Sequence, residues 1–186
     1  MDKKTALLVI DTQIGIIDGP KAGPVHKAAA LVSTIRSLIE QARTRSVPVL
    51  YVQDVDVAPP DALEFQIHPE LAPLAGEVVV VKKATDAFVH TNLHDVLQTM
   101  EINHLVIVGC KTEFCIDSAV RRATTLGYDV TLVRDGHSTT DSEALQAEQI
   151  VDHHNACLHG LYNIDNFVIV RDSGETVFEP IHDTYR

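Results

Sequence analysis

The stretch Leu105–Tyr128, LVIVGCKTEFCIDSAVRRATTLGY, limits the possible folds more than any other part of the chain. Leu105 to Val108 is an apolar, β-branched run with the length of a strand buried on both faces, as parallel sheets require. Gly109 breaks the run, and residues 110–114 make a short turn. Ile116, Ala119, Val120 and Ala123 then recur at helical spacing from at or near Cys115, and Gly127 ends the helix. A unit of this kind sets a thiol at the first turn of a helix, just beyond the carboxyl end of a strand. Free backbone N–H groups and the positive end of the helix dipole favour an anion there, so the arrangement predicts a stabilised Cys115 thiolate. Open α/β sheets bind ligands along the same edge.

The alternation repeats along the chain. Ala6–Ile10 reads as a first, central strand ending in Asp11-Thr12-Gln13, and 15–24 as a loop. Val25–Ser46 has the apolar spacing of a long amphipathic helix, and Val49–Val52 is a second strand. Residues 53–76 are proline-rich and without period, the kind of long segment that serves as a lid or a pocket wall. Val78–Val81 is a third strand, His94–Met100 a helix, Leu105–Cys110 a fourth strand and Cys115–Leu126 its helix. Val130–Val133 is a fifth strand followed by a turn at Asp135–Thr139, Ser142–His159 a helix, and Phe167–Val170 a sixth strand. The expected fold is therefore α/β, a mostly parallel sheet of about six strands with helices on both faces, in one domain over 1–186.

Composition narrows the partners. A formal charge of -11 argues against nucleic-acid and anionic-membrane binding, which need a positive field. Three cysteines, an odd number, behind an opening without a signal-type apolar region suggest reduced thiols in the cytoplasm. Both glycine-rich nucleotide motifs are absent, and with them the main sequence support for nucleotide cofactors.

Three ionisable groups, Asp11, Lys82 and Cys115, fall just past strand ends, and parallel strands direct all three to one edge. Their chemistry is complementary. A carboxylate can take a thiol proton, an ammonium can stabilise the thiolate, and helix N–H groups can hold an oxyanion. Each also has an ordinary explanation, since cysteines are commonly core residues and carboxylates commonly cap turns.

Four pieces, LLVIDTQ (7–13), VVVVKKATDAF (78–88), the run 105–139 and IVDHHNACL (150–158), resemble the isochorismatase-like cysteine hydrolases, which include nicotinamidases, carbamoylsarcosine amidases and ureide hydrolases. The resemblance implies a Rossmann-like three-layer α/β/α sandwich and a catalytic triad of Cys115 as nucleophile, Asp11 as base and Lys82 as cation, with Lys83 the alternative cation. It also implies a cis Cys110–Lys111 peptide and an oxyanion hole formed by the N–H groups of Lys111 and Cys115. Gln13, Ile14, Phe88 and Ile116 are the expected substrate contacts, with Gln13 divided between that role and support of the triad.

The expected reaction is hydrolysis of a C–N bond in a small amide, ureide, carbamoyl or cyclic imide-like substrate, without a cofactor, by a homo-oligomer (a dimer or a tetramer). Nicotinamidases of the family bind a metal through an Asp-x-His pair. Here the stretch reads Asp54-Val55-Asp56 with His68 further on, so an imidazole-rich site is missing and no metal is expected. Two rival readings are a metal-assisted, nicotinamidase-like amidase and a binding or scaffold module of the same fold without chemistry.

Overall fold

The computed structural model describes residues 3–19 and 23–186. Seven strands, β1 (Thr5–Ile10), β2 (Val49–Asp54), β3 (Val78–Lys82), β4 (His104–Cys110), β5 (Asp129–Ser138), β6 (Tyr162–Asn163) and β7 (Asn166–Arg171), form one sheet in the order β3-β2-β1-β4-β5-β7-β6. Every pairing is parallel except the β6–β7 hairpin. The connecting helices are α1 (Ile14–Ile17), α2 (Ala28–Thr44), α3 (Leu93–Thr99), α4 (Asp117–Thr125) and α5 (Ala147–Leu158). None among the described residues is long and apolar enough to cross a membrane.

The three layers follow from the period of a strand. Along β1, Leu8 and Ile10 face a core shared with Leu93 and Leu97 of α3 and Ala119, Val120 and Ala123 of α4. Leu7 and Val9 face the opposite core, against Leu31, Ile35, Leu38 and Ile39 of α2. A strand covered on both sides has no polar face to show, so β1 and β4 read as unbroken apolar runs and are buried throughout.

Several boundaries differ from expectation, each for a local reason. The turn expected after the fifth strand instead continues β5 to Ser138, past a register shift, pairing His137 with Gly109 and Ser138 with Cys110. The last helix starts at Ala147 rather than Ser142, because Gln146 and Gln149 form a reciprocal capping box there. The sheet has a seventh strand, since Tyr162–Asn163 turns back on β7 through Ile164-Asp165, a pair with no hairpin signature. The loop expected over 15–24 opens instead with the short α1, and its residues 20–22 lie outside the described part.

Segment 53–76 is pinned, with short 3₁₀ turns at Leu63–Phe65 and Pro69–Leu71. The N–H of Ile14 donates to Gln66 O at 2.9 Å, that of His68 to Thr12 O at 2.9 Å, and the Gln53 amide to Phe65 O at 2.9 Å. Of the two roles expected for it, these bonds favour a fixed wall beside the end of β1.

Candidate active site

β1 lies between β2 and β4, and the chain winds outward from it in both directions. The gap beyond the carboxyl ends of β1 and β4 is thus the topological switch point, where open α/β sheets form their crevice. Asp11 leaves β1 on one side of this gap. Cys115 follows β4 on the other.

The approach is tight. Gly109 adopts a φ of +126°, and a Cβ there would sit 1.9 Å from the carbonyl oxygen of Ile10, so only glycine lets β4 close on β1 at this point. Asp11 has a φ of 50°, in the left-handed region that aspartate enters at a cost of about 1 kcal/mol. Both of its carboxylate oxygens are buried, and neither receives a hydrogen bond from the described residues. The Cys110–Lys111 peptide is cis, as the resemblance implied.

Cys115 does not begin a helix. It is the fourth residue of a π-helical turn, Thr112–Ile116, which runs directly into α4. The Ile116 N–H reaches back to the Lys111 carbonyl at 3.2 Å, five residues away, and this wider turn carries the sulfur over the sheet edge. Cys115 is part-exposed, whereas Asp11 and Lys82 are sealed.

Strand parity selects the lysine. On the edge strand β3, Val79 and Val81 point outward while Val80 and Lys82 point inward, and Lys83 is again exposed. The Lys82 ammonium lies 2.9 Å from Asp11 Oδ2, 3.3 Å from Cys115 Sγ and 2.5 Å from Asp54 Oδ2. Its contact with Asp11 is a fully buried ion pair. Burial opposes the Lys82 charge, but Asp11, Asp54 and Cys115 more than offset it and hold the ammonium above the usual lysine range.

Burial pushes Asp11 up to about 6, against the pull of Lys82 and Cys115. Burial, followed by the negative charge of Asp11, pushes the Cys115 thiol up to about 12 despite Lys82. Desolvation and a neighbouring anion thus oppose the helix-start effect, and both favour the thiol over the thiolate.

Asp54 is the site residue that sequence reading assigned elsewhere. It ends β2 in register with Lys82 on β3, and its Oδ1 accepts the N–H of Asp56 at 2.9 Å. The signal was present, since Asp54 closes its strand as Asp11 and Lys82 close theirs. His68 accepts the N–H of Glu70 through Nδ1 and caps a 3₁₀ turn. Among the described residues, the ligand-type atoms that converge belong to Asp11, Asp54 and Cys115, and the Lys82 ammonium already contacts all three. Asp54, Asp56 and His68 do not form a metal cradle, and these residues do not fit the nicotinamidase-type centre.

The expected substrate contacts are dispersed. The Gln13 amide is fully buried and bonds the Asp54 backbone twice, accepting its N–H at 2.8 Å and donating to its carbonyl at 3.0 Å. It thus holds β2 against β1 and has no face toward a ligand. Ile116 is sealed in the core, and Phe88 packs in the same cluster against Tyr128, with ring centroids 6.3 Å apart. Ile14 is half-buried at the start of α1. Phe114, which no sequence pattern singled out, stands 54% exposed immediately before Cys115.

Fold and site together define a doubly wound α/β domain with a thiol, a carboxylate and an ammonium in contact at its switch point. The family model described as Isochorismatase domain matches residues 5–158, and the chain belongs to the isochorismatase family. It is 33% identical over 144 residues to streptothricin hydrolase of Streptomyces noursei, a match covering 75% of this chain and 51% of that protein. The chain therefore spans about half the length of that relative. An Arabidopsis thaliana protein named a probable inactive nicotinamidase is 30% identical over 176 residues, covering 82% of this chain and 89% of its own. The crystal structure of an isochorismatase family protein superposes with a TM-score of 0.83 at 30% identity, covering 92% of this chain and all of that one.

Proposed function

We propose that the protein hydrolyses a C–N bond of a small amide, ureide, carbamoyl or cyclic imide-like substrate through a thioester on Cys115. The observation that carries this reading is the buried Lys82 ammonium, which touches both Asp11 and the part-exposed sulfur at the sheet's switch point. The directions of the Asp11 and Cys115 shifts support one order of events. Asp11 is the ionised group and Cys115 the protonated one at neutral pH, so sulfur attacks the carbonyl carbon as its proton passes to Asp11. The carbonyl electron pair becomes an oxyanion held by the N–H groups of Lys111 and Cys115, each such donor being worth about 3 kcal/mol. Collapse of the adduct breaks the C–N bond, and Asp11 returns the proton to the leaving nitrogen. Water, deprotonated by Asp11, then cleaves the thioester and restores the thiol. Lys82 stays charged throughout and compensates the negative charge as it moves between oxygen and sulfur.

The hydrolase named among the relatives supports the reaction class. The inactive nicotinamidase favours the second reading, a binding module that keeps the fold without turnover. Ammonia release across a panel of small amides and ureides separates the two. We expect at least one substrate to turn over and Cys115→Ala to lower kcat by about 10³-fold or more, with the acyl–Cys115 adduct visible by intact mass after rapid acid quench. Turnover that survives Cys115→Ala sinks the thioester, and a silent panel supports the binding module.

A further inference from the structure

The prolonged end of β5 takes no part in these chemical steps, yet it is bonded to the nucleophile turn one residue after another. Lys111 Nζ donates to Thr140 Oγ1 at 3.1 Å, Thr112 Oγ1 lies 2.9 Å from His137 Nδ1, and Thr139 Oγ1 donates to Glu113 Oε1 at 2.9 Å. Thr112 and His137 are both buried. Behind them stands Asn155, the buried polar residue of α5.

The direction of this chain is fixed by its last member. The Arg134 carbonyl can only accept, so the Asn155 Nδ2 donates to it at 3.1 Å and its Oδ1 must accept from His137 Nε2–H at 3.0 Å. His137 Nδ1 is then the acceptor for the Thr112 hydroxyl. Burial pushes the His137 imidazole down to about 4, which keeps this tautomer neutral at ordinary pH. The segment is also anchored from its far side, where Ser138 Oγ donates to His26 O at 2.7 Å and the His26 N–H to Thr139 O at 2.7 Å.

We propose that His137–Thr140, backed by Asn155, is a cradle that positions the Thr112–Ile116 turn so that Cys115 faces Asp11 and Lys82. Thr112, His137 and Thr139 are positioning residues in this scheme, acting through the turn without touching the reacting atoms. The proposal rests on the reading of Cys115 as the nucleophile. Its physical basis is the π-helical turn, a rare conformation that occurs as a single turn at functional sites and is bonded here by side chains of the facing segment.

The test compares wild type with Thr112→Val, Thr112→Ser and Thr139→Val. Iodoacetamide labelling of Cys115 is followed from pH 5 to 10 by peptide mass spectrometry, with exposed Cys157 as the internal reference. Thermal midpoints are recorded, together with kcat and KM on whichever amide the wild type hydrolyses. With the sulfur seated, burial and the Asp11 charge hold the thiol above the ordinary range, so its labelling rate keeps rising up to pH 10 without a plateau. A displaced sulfur titrates as an ordinary thiol, near about 8.5. Thr112→Val should therefore bring the labelling midpoint down into the ordinary thiol range, within the pH window, and lower kcat at least tenfold with KM changed less than threefold, while Thr112→Ser keeps the wild-type profile. A general loss of stability would lower the thermal midpoint without moving the pH profile. Should Thr112→Val fail to fold, Thr139→Val is judged by the same readouts. Folded variants whose labelling profile and kcat match wild type overturn the cradle. A wild type that hydrolyses nothing overturns the hydrolase reading alone, and the labelling arm still decides this one.

Discussion

At the scale of single residues, the site is a problem in sharing one proton among groups held too close together. Asp11 and Asp54 both face Lys82, and the negative charge of Asp54 is among the influences that raise Asp11. As a base Asp11 must be ionised, so kcat/KM should fall tenfold per pH unit below about 6. Replacing Asp54 with asparagine removes a repelling charge and leaves Lys82 more fully to Asp11. Both changes favour the carboxylate, so Asp54→Asn should move the acid limb to lower pH, by half a unit or more. A limb that stays in place or moves up would show Asp54 to be uncoupled from the base. Asp11, Lys82 and Cys115 were legible in the sequence because each lies at or shortly after the end of a strand. The burial of Ile116 was not, because whether a side chain faces a cavity or the core depends on what packs over it, and that cover comes from residues distant in the chain; of the two roles expected for Gln13, its bonds to Asp54 favour support of the triad.

At the scale of elements, the site depends on how closely strands approach and where they stop. The contact of Gly109 with Ile10 is the sharpest instance. Gly109→Ala combines a left-handed penalty of about 1–2 kcal/mol with a backbone clash of about 1–3 kcal/mol. We expect a loss of about 3 kcal/mol or more in urea unfolding, and a loss under 1 kcal/mol would mean that β4 and β1 separate easily. Gly136 has a related role: an added Cβ would come within 2.9 Å of Val108 and 2.8 Å of Val133, so glycine lets β5 lie down beside β4 as it runs on toward the turn. The strand run of β5 was readable only to Val133. Beyond it Arg134 and Asp135 are exposed, and this polar stretch looks like a loop until pairing with β4 is seen to resume at His137 and Ser138. The all-valine β3 was readable as a strand, but a uniform apolar run carries no sign of the alternation that leaves Val79 and Val81 outside on a sheet edge.

At the scale of the whole molecule, stability should be sensitive to acid because buried histidines are kept neutral. His104 bonds Thr5 at 2.9 Å and Thr131 at 2.8 Å, and burial pushes it down to about 3. Burial lowers His182 as well, and His137 to about 4. In the unfolded chain all three take up protons near their ordinary value of about 6.5. The unfolded state therefore binds more protons than the folded state below that pH. Stability is fully present above it and is lost as pH falls, by up to about 1.4 kcal/mol per pH unit for each histidine. Asp11 opposes this between its unfolded value and about 6, because there the folded form holds the extra proton, but it is one group against three. The thermal midpoint should drop steadily from pH 6.5 to 4.5, and His104→Gln should flatten that slope if the variant folds. A midpoint level over this range would contradict the assignment.

What the sequence alone determined is the order of strands and helices, the two-sided burial of β1 and β4, and the presence of an acid, an amine and a thiol at strand ends. These are local properties, set by side-chain period and by where apolar runs stop. Tertiary structure decided that Asp54 contacts the Lys82 ammonium, that Gln13 is bonded to the Asp54 backbone, and that burial and Asp11 oppose ionisation of the thiol. Each of those outcomes turns on distances between chain segments far apart in sequence and on how much water they exclude, and neither quantity is encoded in any one stretch.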